Sequence, residues 1–584
     1  MTKKSFNIIY MVLFVVITFF LIWKCQYGYG QYDEGFYLDF TYRFAQGDIM
    51  LIDEWHPAQL FSFVLLPIMK IYLLIFKTTE GIMLNWRYLT IAIQGLLALF
   101  VYRRYSNESR WGALIVSLLL YVFIPFGITA LSYNSLGIIL MTACCTLLVT
   151  TCETRVSSRV IAGALFAAAV LCCPHLVIAY LVYGVTCIVA FLINSSKNEK
   201  FDNIKECFSY NKGSNYFLKL RVFLEFTFGI MIIAGIFVSY LLMNGEIKDY
   251  VANLKVILSE PGHKKMGFFR CIWNYFSSIM LHSSKIKVWT IIAYSILGID
   301  LICMIFDKKR SLRKNFYLMS FTVICLFLII AYWIIDHFVN FQLYPLAICG
   351  IAFYIYCCDN DMASKYFKMI WLPGMLYSFC INLASNTHFY AISSASIVSA
   401  VGSILIFSVF AKETISFKDK VDRIIVTLNK IIIVLVFISV FILRYQQLFW
   451  EGDMNEQTER ILSGPQKGIL VSSEKKSLYE GLLSETEILH SNPQIRNVAY
   501  LTKATWMYLT GEEKAGIYGS CLSYGVDNFE IYEKYYQMHL DKIPDAVYIE
   551  NEYEDTADFF VKNYQFEIVN DGTYGQLLLR DTSD

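Results

Sequence analysis

Charge is scarce in this chain. Only 17% of its 584 residues are Asp, Glu, Lys or Arg, against 57% hydrophobic residues. A soluble globular protein carries about 25% charged residues, so that class is excluded. Net charge is also missing: the balance is +1, which removes any global case for nucleic acid. No CxxC or zinc spacing occurs among the 16 cysteines, and most of these sit inside apolar runs (Cys144-Cys145, Cys172-Cys173, Cys357-Cys358), where Cys behaves as a small hydrophobe. No GxGxxG or P-loop pattern is present, so no nucleotide is expected. The hydrophobic start lacks a small-residue cleavage site and reads as a retained anchor.

What is present is a series of apolar runs long enough to cross a hydrocarbon core of ~30 Å. Lys3 and Lys4 precede the first and place that end in the cytoplasm. The run 58–76 decides the rest. If it crosses, Arg103, Arg104 and Arg110 fall outside; if it lies along the external interface, they fall inside together with Arg155, Arg159 and the basic block 307–315. The positive-inside rule selects the second arrangement. Pro67 and Lys70 within the run suit an interfacial helix. The expected spans are 6–23, 86–102, 111–128, 135–151, 159–173, 175–193, 222–243, 287–306, 316–336, 338–358, 367–384, 391–410 and 428–448, about thirteen, with the C-terminus outside. Residues 1–448 thus read as a multi-pass membrane domain with an external loop at 24–85.

After Phe449 the chain turns acidic, with 24 Asp and Glu against 11 Lys and Arg. Short apolar strands alternate there with helical patterns, and 566–580 reads as a hairpin around Asn570-Asp571-Gly572. The expectation is a separate water-soluble α/β domain at 449–584, outside the cytoplasm, with a largely parallel sheet.

The densest polar stretch is QYDEGFYLDFTYRFAQGDIMLIDEWHP (31–57), directly after the first span. It holds Asp33, Glu34, Asp39, Asp48, Asp53 and Glu54. Adjacent carboxylates at a membrane boundary suit general-base chemistry, although loop carboxylates are more often merely solvated. Asp48 and Asp53 read as turn or cap residues, and Asp39 as a water-facing charge. His56 either caps the helix that follows or contacts a phosphate or acceptor. His175, His337 and His388 fall at external span ends with Tyr133, Asn134 and Asn386, either capping helices or forming a polar face opposite the carboxylates. His263, Lys264, Lys265 and Arg270 form a basic external cluster suited to anionic headgroups or to a loop that closes over a lipid phosphate.

The layout resembles the GT-C membrane glycosyltransferases, which include protein O-mannosyltransferases and the lipid A aminoarabinose transferase. The matching residues are Asp33-Glu34 after the first span, then Gly47-Asp48, then Glu54-Trp55-His56-Pro57 before a Pro-containing interfacial helix. LSYNSL (131–136) and FQLYPLAI (341–348) resemble two further family segments, with Gln342 where the family often has Arg. The resemblance implies a cell-envelope enzyme that moves a sugar from a polyprenyl-phosphate donor to a glycan, lipid or protein acceptor. Asp33 would be the general base, and Glu34 and Glu54 would orient it or bind the acceptor. It implies no cofactor and leaves a divalent metal open. Two other readings stand beside it: a transporter or flippase of a lipid-linked glycan, and a glycan polymerase or ligase. A transporter places ionisable residues near span centres, and here those centres are nearly free of charge.

Overall fold

The computed structural model describes residues 3–28, 33–151, 155–197, 219–259, 267–281, 295, 344–352, 360–385, 389–414, 420–448, 452–519 and 525–581. The chain begins with α1 (Lys3–Lys24), α2 (Asp33–Gln46), α3 (Phe61–Phe76), α4 (Ile82–Tyr105), α5 (Arg110–Val122), α6 (Tyr133–Thr151), α7 (Val156–Cys172), α8 (Val177–Lys197), α9 (Leu220–Asn244) and α10 (Ile247–Ile257). Six helices among the described residues are long and apolar enough to cross a membrane. They are Lys3–Lys24, Ile82–Tyr105, Tyr133–Thr151, Pro174–Leu192, Leu220–Asn244 and Asp361–Ala384; the pair Phe389–Ala395 and Ile397–Lys412, bent by 48°, makes a seventh. The spans expected at 287–306 and 316–336 lie outside the described residues, as does most of 338–358. The span expected at 111–128 is shorter than that: α5 ends at Val122, and the Pro125–Gly127 turn, with Phe126 at φ +56°, breaks it. Pro174 ends α7 in the same way, because a residue before proline leaves the helical region.

Two contacts fix how the first helices run. Lys3 Nζ donates to Asn107 Oδ1 (2.8 Å), which puts the α4–α5 turn beside the start of α1. At the other end, Arg87 in the first turns of α4 donates to Cys25 O (2.6 Å) just past α1. So α1 and α4 are antiparallel, α3 returns without crossing, and Arg103, Arg104 and Arg110 share the side of Lys3 and Lys4. At 16 residues α3 is ~24 Å long, short for a span. It buries Phe61, Leu65, Met69 and Tyr72 and leaves Ile71, Leu74 and Ile75 exposed, as an interfacial helix does.

Small residues let α7 and α9 cross closely. A Cβ on Gly163 or on Gly229 would stand 1.9 Å from the carbonyl oxygen of Phe226 or of Val160. At this crossing Glu225 accepts from Arg221 Nε (2.9 Å) and from Arg159, so this acid near a span end is paired twice.

The chain leaves its last long helix, Lys420–Gln446, through two short hairpins. These are β1 (Gln447–Leu448) with β2 (Gly452–Asp453), and β3 (Glu459–Arg460) with β4 (Leu470–Val471). A five-stranded sheet follows, with β5 (Asn497–Leu501), β6 (Lys514–Ala515), β7 (Ala546–Glu550), β8 (Phe566–Asp571) and β9 (Gly575–Arg580) in the order β6-β5-β7-β9-β8. The expected largely parallel sheet is in fact mixed: β6, β5 and β7 are parallel, β9 is antiparallel to β7, and β8 is antiparallel to β9 and so runs in the direction of β7. The two strands of a hairpin must run in opposite directions, so the final hairpin brings antiparallel pairs into the sheet.

This C-terminal unit does not stand apart from the membrane part. Leu470 pairs with the exit of α1, through Leu470 N to Gln26 O (2.7 Å) and Gly28 N to Leu470 O (2.7 Å). Gly464 O and Pro465 O accept from Gly81 N (3.0 Å) and Met83 N (3.2 Å) at the start of α4, where helix amides otherwise lack partners. One apolar core runs from α1 to β9.

Candidate active site

The stretch expected as a solvated acidic loop is instead a buried helix followed by turns. Residues Glu34 to Phe44 of α2 are all buried, and Glu34, Asp39, Asp48, Asp53 and Glu54 are each at most 6% exposed. Asp39, expected to face water, is fully buried. The cause is the C-terminal unit, which covers α2. Gly35 packs so closely on the turn Thr505–Leu509 that a Cβ would lie 2.9 Å from Trp506 N. Tyr42 Oη donates to Gly511 O (2.8 Å).

Burying carboxylates demands cations, and Glu34, Asp48, Asp53 and Glu54 each meet at least one. Glu34 receives Arg87 through both Nε and Nη2 at 2.6 Å, a bidentate pair. The same guanidinium donates to Cys25 O and Gly28 O, so it ties the end of α1 to the first turn of α2. Arg43 serves two acids, Asp48 through Nε (2.9 Å) and Glu54 through Nη1 (2.7 Å), beneath the ring of Tyr508. Lys542, from the C-terminal unit, reaches Asp48 (2.7 Å) and Asp53 (3.4 Å). Burial alone would raise Asp48, but Arg43 and Lys542 outweigh it and hold its carboxyl below the usual range. Asp53 goes the other way: burial, with Asp48 close by, pushes it up against the pull of Lys542. Asp48 turns the chain after Gly47, whose φ of +112° suits glycine alone, and Asp53 caps Ile49 N (2.6 Å).

Asp33 differs from these. It opens α2, is half-buried, and makes no ion pair among the described residues. Burial pushes its carboxyl above the usual range.

Glu54 is fully buried, and its second oxygen accepts from His56 N (2.9 Å). His56 Nδ1 in turn accepts from Ala58 N (3.1 Å), the capping arrangement, while its ring meets Phe36 edge-on at 4.8 Å. Tyr133 joins the same aromatic group, 5.6 Å from Tyr37 and 6.1 Å from Phe61, and Asn134 is buried beside it at the start of α6. His56 and Tyr133 are therefore brought onto α2. His175 is exposed in the turn between α7 and α8, a turn that packs on the helix Leu372–Ala384. Arg270 is exposed on the helix Phe268–Leu281. His263, Lys264, Lys265, His337, Gln342, Asn386 and His388 lie outside the described residues. No group of three or more His, Cys, Asp or Glu among the described residues is arranged to hold a metal ion.

No protein-family model matches this sequence, and no curated protein is similar to it. Among solved structures, the chain is similar to the archaeal oligosaccharyltransferase AglB from Archaeoglobus fulgidus, in complex with an inhibitory peptide and a dolichol-phosphate. Identity is 13% and the TM-score 0.45, over 94% of this chain and 70% of that one. It is also similar to ArnT from Cupriavidus metallidurans bound to undecaprenyl phosphate, at 12% identity and a TM-score of 0.37, over 100% and 99% of the two chains.

The residues that the sequence reading did not single out are Arg43, Arg87, Lys542, Asn253 and His539. Asn253 Oδ1 accepts from Trp55 Nε1 (2.6 Å) and from His539 Nε2 (3.0 Å), linking loop, α10 and C-terminal unit. Arg87 carried a signal: an arginine in the outer turn of an apolar span calls for a buried partner. Lys542 carried none, because its partners lie 494 and 489 residues away.

Proposed function

We propose that the chain is a membrane glycosyltransferase that transfers a sugar from a polyprenyl-phosphate donor to an acceptor hydroxyl outside the cytoplasm, with Asp33 as general base. The observation that carries this reading is the division of labour among the acids. Glu34, Asp48 and Glu54 are neutralised by Arg87, Arg43 and Lys542, while Asp33 opens the same helix without an ion pair among the described residues. A half-buried carboxylate raised toward the operating pH is a better proton acceptor than one locked to a guanidinium.

In the reaction the acceptor O–H gives its proton to the Asp33 carboxylate. Its oxygen forms a bond to the anomeric carbon as the bond from that carbon to the phosphate oxygen breaks, and the lipid phosphate leaves with the electron pair. One such displacement inverts the anomeric configuration. Glu34 and Glu54 act as positioning residues, Glu34 by anchoring Arg87 and Glu54 by anchoring Arg43 and the His56 turn. The N-terminus lies in the cytoplasm in this reading, and α2, α3 and the C-terminal unit lie outside.

The test uses purified protein with radiolabelled polyprenyl-phosphate sugars. Native turnover that falls ~10²- to 10⁴-fold in Asp33→Asn, with insertion and thermal stability unchanged, is expected. Turnover that survives in Asp33→Asn would move the base elsewhere. Absence of turnover, with a lipid-linked glycan crossing the bilayer of reconstituted vesicles, would replace the enzyme by a transporter.

A further inference from the structure

At the end of α1 on the α2 side two cations are buried without an ion pair among the described residues. Lys24 is 6% exposed and Arg444, in the last turn of the helix Lys420–Gln446, is 8% exposed. Lys24 Nζ donates to Tyr445 O (2.8 Å) and Arg444 Nη1 to Val122 O (2.6 Å). These are neutral carbonyls. Neither cation has a carboxylate within ion-pair distance among the described residues, whereas Glu34, Asp48, Asp53 and Glu54 each meet one. The two charges also act on each other. Burying one unpaired cation is costly, and placing a second within its reach adds repulsion.

The donors around them are not used up. Arg444 Nε and the Tyr344 hydroxyl are both buried and have no hydrogen-bond partner among the described residues. Tyr344 lies within electrostatic reach of Arg444, and its ring meets Phe123 edge-on at 6.1 Å. One ammonium, one guanidinium N–H and one phenolic O–H therefore stand together without an anion.

The setting says what the anion is attached to. Trp23, next to Lys24, meets Tyr27 edge-on at 5.2 Å and stacks on Tyr445 at 5.8 Å, the residue whose carbonyl receives the Lys24 ammonium. Ile22, Trp23 and Tyr445 are exposed beside it. Exposed aromatic rings at a span end mark the depth of lipid headgroups, and a phosphate on a lipid presents its charge at that depth.

We infer that Lys24, Arg444 and Tyr344 form a binding site for a phosphate carried by a membrane lipid. The site rests on the glycosyltransferase reading only for its use: Arg87 bridges Cys25, next to Lys24, to Glu34, next to Asp33, so a lipid phosphate held here lies along the path from the membrane to the proposed base.

The experiment measures lipid binding to detergent-purified full-length protein by native mass spectrometry, with undecaprenyl phosphate, phosphatidylglycerol, uncharged undecaprenol and inorganic phosphate as separate probes. Native protein should bind the phosphate-bearing lipids and not undecaprenol. Arg444→Met should weaken that binding about ten- to a hundredfold, the size of one lost charge-assisted contact. Tyr344→Phe should weaken it about threefold or more, and Lys24→Arg should bind better than Lys24→Met. If Arg444→Met loses its fold by size-exclusion profile, the Lys24 pair and Tyr344→Phe decide. Binding equal to native in all these variants overturns the proposal, as does Arg444-dependent binding of inorganic phosphate alone. Asp33→Asn should bind as native does. Binding that depends on Arg444 in a protein without sugar transfer keeps this site and removes the glycosyltransferase.

Discussion

Replacing Lys542 by Met should loosen the contact between the C-terminal unit and the stretch that follows α2. The substitution keeps the aliphatic length and deletes the charge that reaches Asp48 at 2.7 Å and Asp53 at 3.4 Å, all three side chains being under 10% exposed. Removing one partner of a buried pair costs about 3–5 kcal/mol, because the charge left behind is uncompensated. That is a factor of ~10² to 5 × 10³ in an opening equilibrium. Trp55 N donates to Tyr518 O (2.6 Å) across the same interface, so its amide exchanges with solvent only when the interface opens. Hydrogen exchange followed by mass spectrometry on peptides covering 53–58 should show protection falling at least about a hundredfold at pH 7. The penalty should shrink at lower pH. Asp53 already sits above the usual carboxylate range; without Lys542 it rises further, and a proton then removes the uncompensated charge. Lys542→Met with Asp53→Asn should recover part of the loss for the same reason. Protection within threefold of native, or a penalty that grows as pH falls, would refute the assignment of Lys542 as the counter-charge.

Other outcomes follow from the same geometry. Arg87→Lys should lose roughly tenfold or more in kcat while KM changes little, since a lysine cannot supply the two-pronged contact to Glu34 together with those to Cys25 O and Gly28 O; steady-state kinetics check this. The ionised form of Asp33 is the proposed active form, so kcat/KM should rise with pH through one ionisation above the ordinary carboxylate value of about 4, and Asp33→Asn should abolish that limb. Asp48 is held low in the folded protein, so its contribution to stability is present above about pH 4 and is lost as pH falls through its folded value; thermal unfolding in detergent should weaken on that side. Gly163→Val should force α7 from α9, because the added atoms have no space beside Phe226 O, and should lower the melting temperature measurably.

The course of the first helices was legible. The lysines before α1 and the arginines at 103–110 fixed the turn of the chain, and the Lys3–Asn107 contact agrees with them. That the run holding α3 does not carry the chain to the other end of α1 was legible from the same charges. The candidate carboxylates were legible as one polar stretch, and their environment was not. Asp33, Glu34, Glu54 and His56 share one short stretch, but sequence spacing says nothing of what covers it. The acidic residues read as solvated because, besides Arg43 within the stretch, their counter-charges come from elsewhere: Arg87 from the next long helix, Lys542 from far along the chain. The sheet was misjudged for a local reason. Alternating strands and helices imply parallel pairing, yet the final hairpin places β9, not β8, beside β7.

The cover that Lys542 provides has a consequence for how the protein is made. The segment from Asp48 to Trp55 is synthesised 494 residues before Lys542, about 25–100 s earlier at ~5–20 residues per second. Through that interval its carboxylates have Arg43 alone, and Trp55 has no Tyr518 to receive its amide. A nascent chain therefore carries the full acidic stretch in an unfinished form, and premature termination anywhere before residue 542 leaves it so. The counter-charge for Asp48 and Asp53 is thus added to a stretch that has long left the ribosome.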